Sequence, residues 1–351
     1  MSRRRITRSH LQWIPVVVAS LTVAAPALQA QEADWTPPLA ADGKPDISGV
    51  WDFRTLTPLQ RPRDQEATID EARAGEIEAA AVERARVADL PSDPEERRLE
   101  AGGEVGGYNN FWFDRGARVV EDLRTSLIID PPNGRLPDTL PGIKRQTRGD
   151  DKPIDRPVRL RVGGIGLDSY EDRGLAERCI LGFNAGPPIT PGGYNQNIQI
   201  FQSANHVAIL NEMVHDTRIV PLDRRPHLPD SVRQWMGDSR GRWEGDTLVV
   251  ETKNFSDLVS SFSGSVAGAV GDAYEMHVTE RFRRVDEDTL MYEYTVNDPA
   301  TFTRPFTARL LMKKGEALYE YACHEGNYGL YNILSGARAK EAEAVASGGG
   351  P

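Results

Sequence analysis

The feature that most constrains this chain is a period-two alternation of apolar residues near its C-terminal end. Leu290, Tyr292, Tyr294 and Val296 fall on one side of an extended strand, and Phe306, Ala308, Leu310 and Met312 on one side of the next. Ala317, Tyr319, Tyr321 and Cys323 repeat the pattern. Val278–Val285 precedes them as another strand, joined to Thr289–Val296 by a turn at Asp286-Glu287-Asp288. Successive side chains of a strand point to opposite faces, so each segment offers one apolar face. Strands separated by short turns predict an antiparallel meander with one buried face. So many strands must manage their unpaired edges, which predicts closure as a barrel or packing as a sandwich.

The rest of the chain fits around that meander. Asp46–Trp51 predicts a first strand entered through Gly49. Arg124–Asp130 predicts another, followed by a turn at Pro131-Pro132-Asn133-Gly134. Asn197–Met213 and His215–Leu222 read as strands, and Trp243–Val250 as a hairpin turning at Glu244-Gly245-Asp246. Residues 65–102 are different: Glu, Ala and Arg dominate, with Ile69, Ala72 and Ile77 at near-helical spacing. They predict an acidic helical insert, interrupted at Pro91-Ser92-Asp93-Pro94, whose thin apolar stripe packs only lightly. Residues 137–175, rich in Pro, Gly, Arg and Asp, read as a long surface loop, and residues 341–351 as a disordered tail. The predicted organisation is a β-rich domain over residues 46–340, behind a polar linker over 31–45.

The N-terminus reads as an export signal. Arg3, Arg4, Arg5 and Arg8 precede an apolar run from Trp13 to Ala27, and small residues end at Ala30. A basic region, a short apolar region and a small residue at the cleavage point make a signal peptide over residues 1–30. The run is too short for a span of roughly 20 apolar residues. Ser2-Arg3-Arg4-Arg5-Ile6 also fits twin-arginine export. The expected location is periplasmic or secreted, with no stable membrane anchor. Loss of residues 1–30 lowers the formal net charge from −10 by four, to −14. Such a chain carries no electrostatic footprint for nucleic acid, and the expected partner is a small-molecule ligand or substrate. The two cysteines, Cys179 and Cys323, read as a disulfide in an oxidising compartment, or otherwise as two buried thiols.

Four segments carry a resemblance. They are Tyr108–Trp112, Arg124–Ile128 with Asp130-Pro131-Pro132, Gly237–Val250, and Tyr319–Tyr328. Together they resemble a family of secreted bacterial proteins, along nearly the whole expected mature chain, from about Pro45 to Arg338. No reaction comes with that resemblance. Gly49-Val50-Trp51 is also similar to the opening strand of lipocalin-like barrels, which implies a barrel-shaped cup. The long insert over 52–105 departs from that pattern.

No nucleophile elbow, phosphate loop, dinucleotide fingerprint or His-Glu-x-x-His is present, so nucleotide-dependent chemistry and the commonest hydrolase designs are not expected. Titratable residues within apolar strands stand out instead. On an unbroken strand Glu212, Asp216 and Arg218 share a face, and a bulge near Val214 brings His215 to the same side. His215 is the expected general base, with Asp216 or Glu212 orienting it. Arg218 is expected to stabilise developing negative charge, and His324 to act as the acid. Trp243, Arg240, Glu325 and Asn327 are expected substrate contacts. No cofactor is expected, and the scattered His206, His227 and His277 do not specify a metal site. Two functions follow. One is an enzyme using His/Glu/Asp acid–base chemistry (hydrolysis, elimination or isomerisation) on a small carbohydrate-like or polycyclic molecule. The other is a non-catalytic periplasmic binding protein that holds an apolar or sugar ligand in its barrel.

Overall fold

The computed structural model describes residues 35–90, 113–143, 145–147, 166–262 and 268–348. The expected signal peptide, the Pro91–Pro94 interruption, the Tyr108–Trp112 segment and residues 148–165 of the long loop lie outside them. The chain divides into two units, Met1–Trp35 and Thr36–Pro351, and all the elements below belong to the second.

Twelve strands and two α-helices are described. The strands are β1 (Gly49–Asp52), β2 (Ile128–Asp130), β3 (Arg145–Thr147), β4 (Asn197–Gln202), β5 (His206–Asn211) and β6 (Thr217–Pro221), then β7 (Asp238–Glu244), β8 (Thr247–Lys253), β9 (Gly268–Val270), β10 (His277–Arg284), β11 (Thr289–Asn297) and β12 (Phe306–Lys314). The helices are α1 (Glu71–Ala88) and α2 (Gly329–Ala346). The main sheet runs β6-β5-β4-β1-β12-β11-β10-β8-β7, with β2 paired to β12 off that path. β3 and β9 form a separate two-stranded sheet. The main sheet curls until it nearly closes, so of barrel and sandwich the barrel stands. Every neighbour along the path is antiparallel, so the outer strands β6 and β7 run in the same direction. They meet at a seam where Gly241 of β7 lies against Val220 and Leu222. A Cβ at residue 241 would sit 2.7 Å from Leu222 and 2.8 Å from Val220.

The period-two alternation along β11 and β12 fixes which face is inside. Tyr292, Tyr294, Phe306 and Leu310 are buried, while Glu293, Thr295 and Arg309 alternate with them at the surface side. Register agrees: Tyr292 opposes Leu310, and Val296 opposes Phe306. Aromatic side chains interlock inside, with Tyr292 centred 4.9 Å from Phe282 and Phe262 5.0 Å from Phe306. Gly245, at positive φ, lets the two-residue turn close the β7–β8 hairpin.

Four expectations need correction. The alternation at Ala317–Cys323 does not form a strand. Both edges of β12 are already taken, by β11 on one side and by β1 and β2 on the other. Gly315 donates its last ladder-like bond to Val50, and the chain leaves the sheet. The strand expected over 197–213 is a hairpin of β4 and β5, and the one expected from His215 begins at Thr217. The tail expected from residue 341 is helical as far as Ala346. Within the expected helical insert, α1 is capped by the Asp70 carboxylate, which accepts the Arg73 amide at 2.8 Å. Only Ala74 of α1 is buried, as a thin apolar stripe requires.

Candidate functional site

Glu212, His215 and Asp216 lie together at one end of the barrel, in the connection between β5 and β6. The β5–β6 hairpin there has a five-residue tip, closed by the Asn211 amide donating to the Asp216 backbone carbonyl at 2.8 Å. Met213–His215 make one 3-10 turn, and Val214 adopts φ +64°, a left-handed conformation that a β-branched residue seldom holds. The interruption anticipated near Val214 is therefore a tight turn, and Glu212, Asp216 and Arg218 do not share one strand face. Glu212 turns back to accept from the Asn197 amide at 3.2 Å and side chain at 2.9 Å. Asp216 accepts from the Gly182 amide at 3.4 Å. His215 lies in the turn, and its side chain falls outside the described residues.

Arg218 points the other way, into the barrel. Its guanidinium forms a two-pronged ion pair with Glu280, whose carboxylate is fully buried. Tyr292 donates its hydroxyl to Glu280 at 2.7 Å and accepts the Ile189 amide at 2.9 Å. Burial and then the adjacent carboxylate push the Tyr292 pKa well above its ordinary value, so the phenol keeps its proton. Burial alone depresses Arg218, but Glu280 more than reverses this and its pKa is raised. Arg218 is thus committed to an internal partner and not available to charge developing on a substrate. Glu280 was legible: it lies in phase with Val278 and Phe282, a carboxylate at a core position.

The barrel interior under this end is filled by the chain itself. Residues Leu181–Ile189 are all buried although they form no strand or helix. They enter the barrel as a plug, with Leu181, Ala185 and Ile189 in the main core. Gly182 passes so close to Met213 that a Cβ would come within 2.4 Å of its side chain. Phe183, Met213 and Val214 form a small second core, and Cys179, Tyr194, Tyr321 and Cys323 pack against it. Through it the hairpin tip meets the segment that carries His324. Cys179 and Cys323 are joined as a disulfide with Cα atoms 5.8 Å apart, which settles the two alternatives for this pair.

His324 and Glu325 are exposed on this segment. Asn327 donates to the Glu177 carbonyl at 3.0 Å, so its amide anchors the segment. The other expected contacts lie elsewhere. Trp243 packs against the main core. Arg240 bonds Asp238 at 2.6 Å, the Ser239 carbonyl at 2.7 Å and the Pro226 carbonyl at 3.1 Å. That cluster includes His227, whose Nδ1 lies 2.9 Å from the buried Asp238 carboxylate. Asp238 also accepts the Leu228 amide at 2.9 Å. The connection from β6 back to β7 is strapped to the barrel by these bonds, a position that sequence spacing did not reveal. His206 stands in β5 and His277 in β10. Among the described residues no three His, Cys, Asp or Glu side chains converge as a ligand set.

A separate groove of about 980 Å³ lies between α1 and residues 113–118. None of the expected site residues lines it, and its Arg54 is engaged by Asp52 and Asp114. No family model, curated protein or solved structure matches the chain.

Proposed function

We propose that this chain is an exported enzyme using acid–base chemistry on a small carbohydrate-like or polycyclic molecule, at the rim where residues 212–216 and 321–327 meet. The observation that carries the reading is the second core, in which Met213 and Val214 pack with Tyr321 and Cys323. It puts the neighbours of His215 and of His324 on one patch of the barrel end. His215 serves as base, histidine being the side chain most often used for general acid–base catalysis. Asp216 or Glu212 orients it, and His324 delivers the proton to the leaving group. Arg218 takes no part, because its guanidinium is held by Glu280. The exported location rests on the arginine-led apolar N-terminus and on the disulfide, which persists in oxidising compartments. A non-catalytic cup has the Leu181–Ile189 plug where its ligand would sit, which favours the enzyme class.

The test is a panel of hydrolysis, elimination and isomerisation assays on oligosaccharides and polycyclic glycosides. In the enzyme, His215→Ala lowers turnover by about 10²–10⁴ while substrate affinity changes little. Binding without turnover anywhere in the panel would overturn the reading. So would a crystal structure with the His215 and His324 imidazoles more than about 12 Å apart and no shared cavity, since one acid–base pair cannot act on one bond across that gap.

A further inference from the structure

The segment that carries His324 is held to the molecule differently from the strands. Past Gly315, among the described residues, the chain makes no backbone hydrogen bond to the barrel, and the bonds it makes are within itself. The main core draws on no residue beyond Met312, and of residues 316–348 only Ala337 is buried. The described attachments are few. Cys323 is bonded to Cys179, and Tyr321 and Cys323 touch the second core. Asn327 donates to the Glu177 carbonyl, and Arg338 to the Leu167 and Asp168 carbonyls at 3.0 Å each.

Of these attachments the disulfide alone is covalent. The Asn327 and Arg338 bonds come from exposed side chains, where water competes for both partners and the net gain is small. Tyr321 and Cys323 supply apolar cover, and both are only half-buried. The bonded anchors all lie within residues 167–179, ahead of the plug, and none is on a strand of the main sheet. Release of the segment would leave the strand ladders and the main core as they are.

The surroundings of the bond favour its opening. Cys179 and Cys323 are both half-buried, so a thiolate from outside has access to them. Cys179 holds φ +55°, a left-handed conformation that a residue with a Cβ seldom adopts, and opening the bond lets it relax. The side-chain amide of Asn327 donates to Cys179 Sγ at 3.7 Å. A donor at that sulfur stabilises it as a departing thiolate, which makes Cys179 the leaving group and Cys323 the sulfur attacked.

We propose that the Cys179–Cys323 bond is a redox latch on the acid–base site, opened by a protein dithiol. One thiolate of the dithiol bonds to Cys323 Sγ as the Cys179–Cys323 bond breaks, and the electron pair leaves on Cys179. The second thiolate of the dithiol then displaces Cys323, so the dithiol ends as a disulfide. The two protons it gives up end on Cys179 and Cys323. Residues 316–348 leave the rim and take His324 away from the turn that carries His215. Met213 and Val214 lose the cover of Tyr321 and Cys323. The latch rests on the proposed function, in which His324 supplies the proton, and adds a control over it.

Hydrogen exchange of the processed protein, before and after treatment with dithiothreitol without denaturant, tests this. Free thiols are expected to rise from none to two. Amides of residues 317–346 and 211–216 are then expected to exchange about tenfold faster, while those of β8 and β10 to β12 keep their rates. Turnover is expected to fall about 10²-fold, and reoxidation to restore it. Cys179→Ser with Cys323→Ser should reproduce the opened state without a reductant. Glutathione, with its single thiol, should stop at a mixed disulfide on Cys323. A pair that stays closed in the folded protein, a glutathione adduct on Cys179, unchanged exchange over 317–346, or loss of protection across the whole barrel would each overturn the latch. The two readings fail separately. Opening of the segment in a protein with no turnover removes only the acid–base reading, and turnover that survives opening removes only the latch.

Discussion

Ile189 donates its backbone amide to the hydroxyl of Tyr292 at 2.9 Å, which ties the plug to the wall of the barrel. The same hydroxyl donates to Glu280, so one phenol satisfies a buried donor and a buried acceptor. Tyr292→Phe keeps the ring, strands the Ile189 amide and leaves Glu280 with Arg218 alone, at a cost of about 1–3 kcal/mol. Urea unfolding measures the loss. Hydrogen exchange should speed up selectively over residues 181–189, and a uniform change across the barrel would show that the bond does not hold the plug.

The Arg218–Glu280 pair is fully desolvated. Removing one partner leaves an uncompensated charge, so Glu280→Leu is expected to destabilise by about 3–5 kcal/mol. Adding Arg218→Met to that variant should restore much of the loss, because the pair has a large desolvation cost of its own. A double variant no better than the single one would mean that the bonds to Tyr292, not the charges, dominate.

The seam of the barrel depends on a missing side chain. Gly241→Val pushes into Val220 and Leu222 of the facing edge and should cost about 1–3 kcal/mol. It should also part β6 from β7 and expose two strand edges, detectable as concentration-dependent association by light scattering. A monomer of unchanged stability would show that the seam has slack.

On the crossover strap, Asp223 is bonded to Arg225, and that hydrogen bond lowers its pKa to about 2. A lowered folded-state pKa gives stability that is present above the ordinary carboxylate range and lost as pH falls through about 2. Carbon-detected NMR should find Asp223 still ionised where other exposed carboxylates have protonated. Arg225→Ala should return it to the usual range, and an unchanged titration would assign the shift to another cause.

The parts of the fold that could be read from sequence are those where one face alone is buried. β10 to β12 announce themselves because Val278, Tyr292 and Phe306 alternate with residues that stay at the surface side. Ala317–Cys323 carries the same alternation and misleads, since a strand needs a free neighbouring edge and β12 has none left. The plug is silent in sequence: Gly182, Gly186, Pro187 and Pro188 give it neither helical nor strand period, and its burial follows from the cavity around it. At the site, Val214 marked the break in the strand, but the inward turn of Arg218 follows from the phase of β6, in which Arg218 falls on the same face as the buried Val220. Glu280 offered the missing clue, because a carboxylate among core positions requires a cation nearby.

The disulfide has a consequence for covalent integrity. Cys179 and Cys323 are 144 residues apart, and every strand from β4 to β12 lies between them. A protease that nicks any connection in that stretch, such as 222–237 or 254–276, leaves both fragments on one molecule. After such a cut the barrel would migrate as a single species until a reductant is added, and the plug and the rim segment would stay tethered to each other. A protein working among extracellular proteases would thereby tolerate a first cleavage without shedding either half.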